Sequence, residues 1–148
     1  MGYFVHAGRR LHFREAGAGF PVLVLPGNTA SSAHHRADLD RLGQRYHAYA
    51  FDPHGTGQSD RAAVWPLDWW ALAARDSAAL MQVQGHTQWV TLGTSGGAVS
   101  ALWQAILFPD AVRLVTVCRD QDIVDSAARQ RFSRAVQHGG FRALNIAV

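Results

Sequence analysis

The chain has 148 residues, 48% of them hydrophobic and 17% charged, with a formal net charge of +3. That length suits one domain with a real core, and no apolar run approaches the roughly 20 residues of a membrane helix, so no membrane partner is expected. All fourteen cationic side chains are arginine and are scattered, apart from Arg129, Arg131 and Arg134; a nucleic-acid binder concentrates such charge on one face, so no nucleic-acid partner is expected either.

In chain order, Tyr3 to His6 and Arg10 to Glu15 read as two short strands joined at Ala7-Gly8-Arg9, a hairpin with glycine in its turn. Phe20 to Leu25 (F-P-V-L-V-L) is a continuous apolar run ended by Pro26-Gly27, the pattern of a strand buried on both faces of a parallel sheet. Ser31 to Ala33 starts a short helix with Leu39 and Leu42 on its inner side, and Tyr46 to Phe51 is a further strand. Residues 52 to 60, D-P-H-G-T-G-Q-S-D, form a loop by composition.

Leu67 to Val83 carries apolar residues at helical spacing. Gln88 to Leu92 is a strand, Gly96 to Phe108 a helix stopped by Pro109, and Val112 to Val117 a sixth strand. Ile123 to Val136 suits a helix, and Phe141 to Val148 matches no element. From Phe20 onward strands alternate with helical patterns, which argues for parallel βαβ units with helices on both sheet faces. The loops 26–33, 52–60 and 93–97 then all begin at strand C-termini and meet at one sheet edge, where open α/β sheets bind ligands.

Gly93-Thr94-Ser95-Gly96-Gly97 matches G-x-S-x-G between a strand and a helix. In that context Ser95 reads as a nucleophile on a strained turn, with Gly93 and Gly97 sparing a clash where strand and helix meet. The alternative is a glycine-rich turn with a helix-capping serine. Pro26-Gly27-Asn28-Thr29 follows the first buried strand. An oxyanion hole needs two aimed N–H donors, here Gly96 and Asn28, with Thr29 as the lesser candidate for the second.

The order and spacing of four blocks resemble the N-terminal portion of an α/β-hydrolase of the serine esterase and lipase type. They are the opening hairpin, V-L-V-L-P-G at 22–27, F-D-P-H-G-T-G-Q-S-D at 51–60 and V-T-L-G-T-S-G-G at 90–97. The third block has His54 where that family usually has arginine. The resemblance implies a mostly parallel sheet flanked by helices with an N-terminal hairpin. It covers 1–117, and leaves 118–148 as a divergent tail, either the start of a lid or a truncation product.

The resemblance also implies a serine hydrolase acting on a small-molecule acyl substrate without cofactor or metal. Gly27, Thr94, His34 and Trp69 would border the substrate; the bland readings are surface histidines at His34 and His35 and core packing for Trp65, Trp69 and Trp70. His34, His35 and His54, even with Asp52 or Asp60, follow no recognised zinc spacing. Asp52 is expected to order its own loop.

A serine nucleophile needs a histidine base oriented by a carboxylate. In this family the acid and then the histidine follow the serine, after later strands that have no counterpart in the pattern here. The remaining candidates are Asp120 or Asp122 as acid and His138, the one histidine after Ser95, as base. The triad therefore looks incomplete, and weak or absent activity is expected. A non-catalytic binding module and a perhydrolase- or haloperoxidase-like enzyme are the competing readings; an epoxide hydrolase or dehalogenase would place aspartate at 95.

Two expectations complete the reading. An uncovered sixth strand would be an apolar sheet edge prone to self-association. The single cysteine, Cys118, and a start at Met1 to His6 without signal-peptide character suit a cytoplasmic setting.

Overall fold

A computed structural model describes residues 1–118 and 143–146. Asp120, Asp122, His138 and the helix expected at 123–136 lie outside the described residues. The strands are β1 (Gly2–His6), β2 (Arg9–Ala16), β3 (Pro21–Leu25), β4 (His47–Phe51), β5 (Trp89–Thr94), β6 (Val112–Cys118) and β7 (Ala143–Ile146). The helices are α1 (Arg36–Leu42), α2 (Trp69–Val83) and α3 (Gly96–Leu107), with a 3-10 turn at Ser32–His35 before α1.

The seven strands form one sheet in the order β1-β2-β4-β3-β5-β6-β7. The hairpin is antiparallel, β2 runs antiparallel to β4, and β4, β3, β5, β6 and β7 are mutually parallel. All five residues of β3 are buried. Strand periodicity sends Val22 and Val24 to a cluster with Leu39 and Leu42 of α1, and Leu23 and Leu25 to a second cluster with α2 residues such as Leu80 and Met81. Both faces of β3 are thus dry, as its unbroken apolar run requires.

A buried amide ties the second face together. Gln104 on α3 accepts from the Trp89 indole at 3.0 Å and from the Thr91 hydroxyl at 2.5 Å, and its Nε2 donates to Ser77 Oγ of α2 at 2.8 Å. Gln104 is fully buried, so these bonds replace the water it gave up on folding. At the N-terminal end of β4 lies a second polar chain: His47 bonds Glu15 at 3.0 Å and the Tyr49 hydroxyl at 3.0 Å, and His86 bonds Tyr49 at 2.9 Å. Burial, aided by the Glu15 charge, pushes the Tyr49 phenol up to about 12. Burial, followed by the nearby His47 charge, pushes the His86 imidazole below its ordinary value.

Three expectations change. The helix expected from Leu67 begins at Trp69; Leu67 follows Pro66 in a turn and is fully exposed. The helix expected from Ser31 opens as a 3-10 turn and becomes α-helical at Arg36, stopping where Gly43 N–H bonds the Leu39 carbonyl at 2.7 Å. The sixth strand is not the sheet edge: residues 143–146, which matched no element, pair with it in parallel from Leu114↔Ala143 to Val117↔Ile146. The chain's own backbone thereby satisfies the β6 ladder groups that an open edge would leave unpaired. Among the described residues, no helix is long and apolar enough to cross a membrane.

Candidate functional site

The strand order reverses between β3 and β5. From β3 the chain passes through α1 to β4 on one side; from β5 it passes through α3 to β6 on the other. Right-handed crossovers running in opposite directions put α1 and α3 on opposite faces. The loops leaving β3 and β5 therefore lie at the topological switch point, where sheets of this kind form a crevice for ligands.

Ser95 stands at that crevice, between the last residue of β5 and the first of α3, at φ 53 and ψ −123. An L-residue rarely adopts positive φ, and strain of this kind costs of order 1–3 kcal/mol. Ser95 is exposed, and its side chain makes no capping bond to α3, which removes the helix-capping alternative. The neighbouring glycines have steric causes. A Cβ on Gly97 would strike the Leu25 carbonyl oxygen, and one on Gly93 would lie 2.5 Å from the Gly97 carbonyl oxygen. Helix and strand meet at backbone distance, which is what holds Ser95 in its turn.

The loop after β3 comes to the same place. A Cβ on Gly27 would lie 3.4 Å from Ser95 Cβ and 3.8 Å from its Oγ, so Gly27 borders the serine directly. Gly27 to Ala30 is a turn closed by Ala30 N–H to the Gly27 carbonyl at 3.1 Å. Thr29 within it has φ 61, a left-handed value seldom held by a β-branched residue. The Asn28 carboxamide lies over Gly96, whose missing side chain leaves it room, and its Oδ1 accepts from the Trp70 indole at 3.0 Å. Ser95, Gly96, Gly27 and Asn28 are thus brought together. Thr94 lies just beneath, with a buried hydroxyl that finds no partner among the described residues.

Asp52 directly follows β4 and braces the loops at this sheet edge. One carboxylate oxygen accepts from the Ser32 amide at 2.7 Å; the other accepts from the Gln58 amide at 2.8 Å and from His12 Nδ1 at 3.0 Å. It orders its own loop, as expected, and also ties in the 3-10 turn and β2. His12 carried no sequence signal for this, because its partner is forty residues away.

The other candidates are placed differently. His34 is exposed, its ring turned back to accept the Ser31 amide at 3.1 Å. His35 is buried against Asp38 at 2.9 Å. Trp69 is buried and donates to the His54 carbonyl at 3.3 Å, so it anchors α2 to the 52–60 loop. Trp70, the more exposed neighbour, is the member of the aromatic cluster that touches Asn28. The sequence groups it with Trp65 and Trp69 and points to Trp69 as the substrate neighbour, since which of two adjacent tryptophans faces the loop depends on the helix start.

Among the described residues no histidine hydrogen-bonds Ser95, and no group of three metal-ligating side chains could hold a metal ion.

No family model matches the chain. It is 33% identical over 116 residues to mouse "Serine hydrolase BPHL", covering 74% of this chain and 39% of that protein. It is 26% identical over 130 residues to "Putative carbamate hydrolase RutD" of Azorhizobium caulinodans, covering 87% of this chain and 48% of that one. The crystal structure of an alpha/beta hydrolase fold protein from Burkholderia ambifaria superposes with a TM-score of 0.70 at 23% identity, over 78% of this chain and 42% of that chain. The chain thus spans less than half the length of these relatives. With its sheet order, its helices on both faces and these relatives, the chain has the α/β-hydrolase fold and is similar to the N-terminal portion of hydrolases that share it.

Proposed function

We propose that Ser95 is the nucleophile of a serine hydrolase acting on an ester or related acyl bond. The observation that carries this reading is its backbone: an exposed serine held at φ 53 between a buried strand and a helix, with no capping role for its hydroxyl. Nothing in the packing of α3 requires a serine in that strained place, whereas presentation of an oxygen to a substrate does. In this reading Ser95 Oγ attacks the acyl carbonyl carbon, and the amides of Gly96 and Asn28 stabilise the oxyanion. The start of α3 favours the same negative charge. Gly27 and Thr94 line the approach; His34 and Trp69, engaged with Ser31 and His54, have a weaker claim as substrate contacts.

The hydroxyl proton needs a base, and no described histidine is bonded to Ser95. Asp120, Asp122 and His138 are the acid and base candidates within this chain. We infer weak turnover, at the level that oxyanion stabilisation and binding sustain without a working triad. That no described residue serves as base to Ser95 supports a second reading, a binding module that retains the crevice and lacks the chemistry. The single cysteine supports a reducing, cytoplasmic setting.

Release of p-nitrophenol from a short-chain ester separates the two readings. Slow release above buffer that vanishes in Ser95→Ala is the expected result. Equal rates for the two folded proteins would favour the binding module.

A further inference from the structure

We propose that Trp70 is a positioning residue, which acts through the Asn28 carboxamide to hold the turn that carries the Asn28 amide beside Ser95. The inference rests on the serine-hydrolase reading above. Three observations carry it.

The first is the bond itself: the Trp70 indole donates to Asn28 Oδ1 at 3.0 Å, joining the first turn of α2 to the loop after β3. An indole N–H is a donor only, so it selects the oxygen end of the carboxamide. That fixes which way the amide faces and leaves the Nδ2 protons for another acceptor.

The second is strain. Thr29, the next residue, sits at φ 61. A β-branched residue in that region persists only where its surroundings over-determine it. The turn's own bond, Ala30 N–H to the Gly27 carbonyl, is one restraint, and the indole supplies another from a rigid helix.

The third is space. The Asn28 carboxamide occupies the volume that a side chain at 96 would fill. Trp70 itself is 37% exposed, so burial alone does not dictate its ring orientation. Beneath it the buried Trp69, edge-on at 6.4 Å between ring centroids, is tied to the His54 carbonyl and steadies the helix start. A side chain at the surface thus makes one directed bond to the proposed oxyanion turn.

The test compares rates of Ser95 labelling by a fluorophosphonate in the full chain. Trp70→Phe keeps the ring and removes the N–H; its rate falls about tenfold, roughly the net value of one hydrogen bond, and the thermal midpoint falls by no more than that one bond accounts for. Asn28→Ala falls by a similar factor, and the double variant is no slower than Asn28→Ala alone, because the two act through one bond. Wild-type labelling by Trp70→Phe, or effects that multiply in the double variant, would overturn the inference and leave the serine reading intact. No labelling of wild type would overturn both. Should Trp70→Phe fail to fold, the Trp70 indole proton resonance in Asn28→Ala decides: it shifts upfield if the bond exists, and an unmoved resonance overturns the proposal.

Discussion

A Cβ added to Gly93 would lie 2.5 Å from the carbonyl oxygen of Gly97, so β5 and α3 meet at a distance that only glycine permits. The same closeness recurs between Gly97 and the end of β3, where an added Cβ would strike the Leu25 carbonyl oxygen. Gly97→Ala therefore forces backbone apart at a site where no flexible side chain can yield. We expect it to destabilise by about 3 kcal/mol, read as a lowered midpoint in urea with an unchanged slope. A midpoint equal to wild type would show that α3 can shift freely.

Ser95 holds strain that its backbone, not its side chain, creates. Glycine adopts φ 53 without a Cβ penalty and alanine does not. Ser95→Gly should thus be more stable than Ser95→Ala by about 1 kcal/mol, measured by thermal unfolding of the two variants. This sign is the reverse of the rule inside a helix, where glycine is weaker than alanine.

Gln104 is the hub of a satisfied buried network. Gln104→Leu keeps roughly the volume but leaves the Trp89 indole N–H and the Thr91 hydroxyl without their acceptor, while Ser77 keeps its bond to the Ala74 carbonyl. The expected loss is about 3 kcal/mol, since each buried group left unpaired costs about 1–3 kcal/mol and some recover bonds elsewhere. Chemical denaturation checks it; a neutral outcome would mean that water reaches these groups.

Tyr49 sets an alkaline limit on stability. Its folded-state pKa is raised from 10.0 to about 12, so between those values the unfolded chain gives up the phenol proton and the folded one resists. The contribution is full below pH 10 and is lost as pH rises towards 12. The chain has no lysine to obscure this window. Tyr49→Phe should flatten the fall in stability between pH 10 and 12; an unchanged slope would show that Tyr49 is not its source.

Much of the site was legible in the sequence because its causes are local. The short unbroken run Val22 to Leu25, ended by Pro26-Gly27, suits a strand buried on both faces, and Gly93-x-Ser95-x-Gly97 carries its steric reason in its own spacing. Asp52 read correctly as the organiser of its loop, since Gln58 lies six residues on. What escaped were contacts across long separations: His12 on Asp52, Trp70 on Asn28, and β7 on β6. The first two depend on which face of a strand or helix turns inwards, and a helix start moved by two residues, from Leu67 to Trp69, changes that face. The four residues of β7 form too short a pattern to announce a strand, and pairing with β6 decides them.

The central claim is that Ser95 is a nucleophile, and covalent labelling tests it most directly. Wild type and Ser95→Ala would be treated with a fluorophosphonate, digested at arginine and mapped by mass spectrometry. The expected result is a single adduct on Ser95, within the peptide that runs from Asp76 to Arg113, and none in Ser95→Ala. Folded wild type that takes no adduct, or an adduct undiminished in Ser95→Ala, would contradict the account.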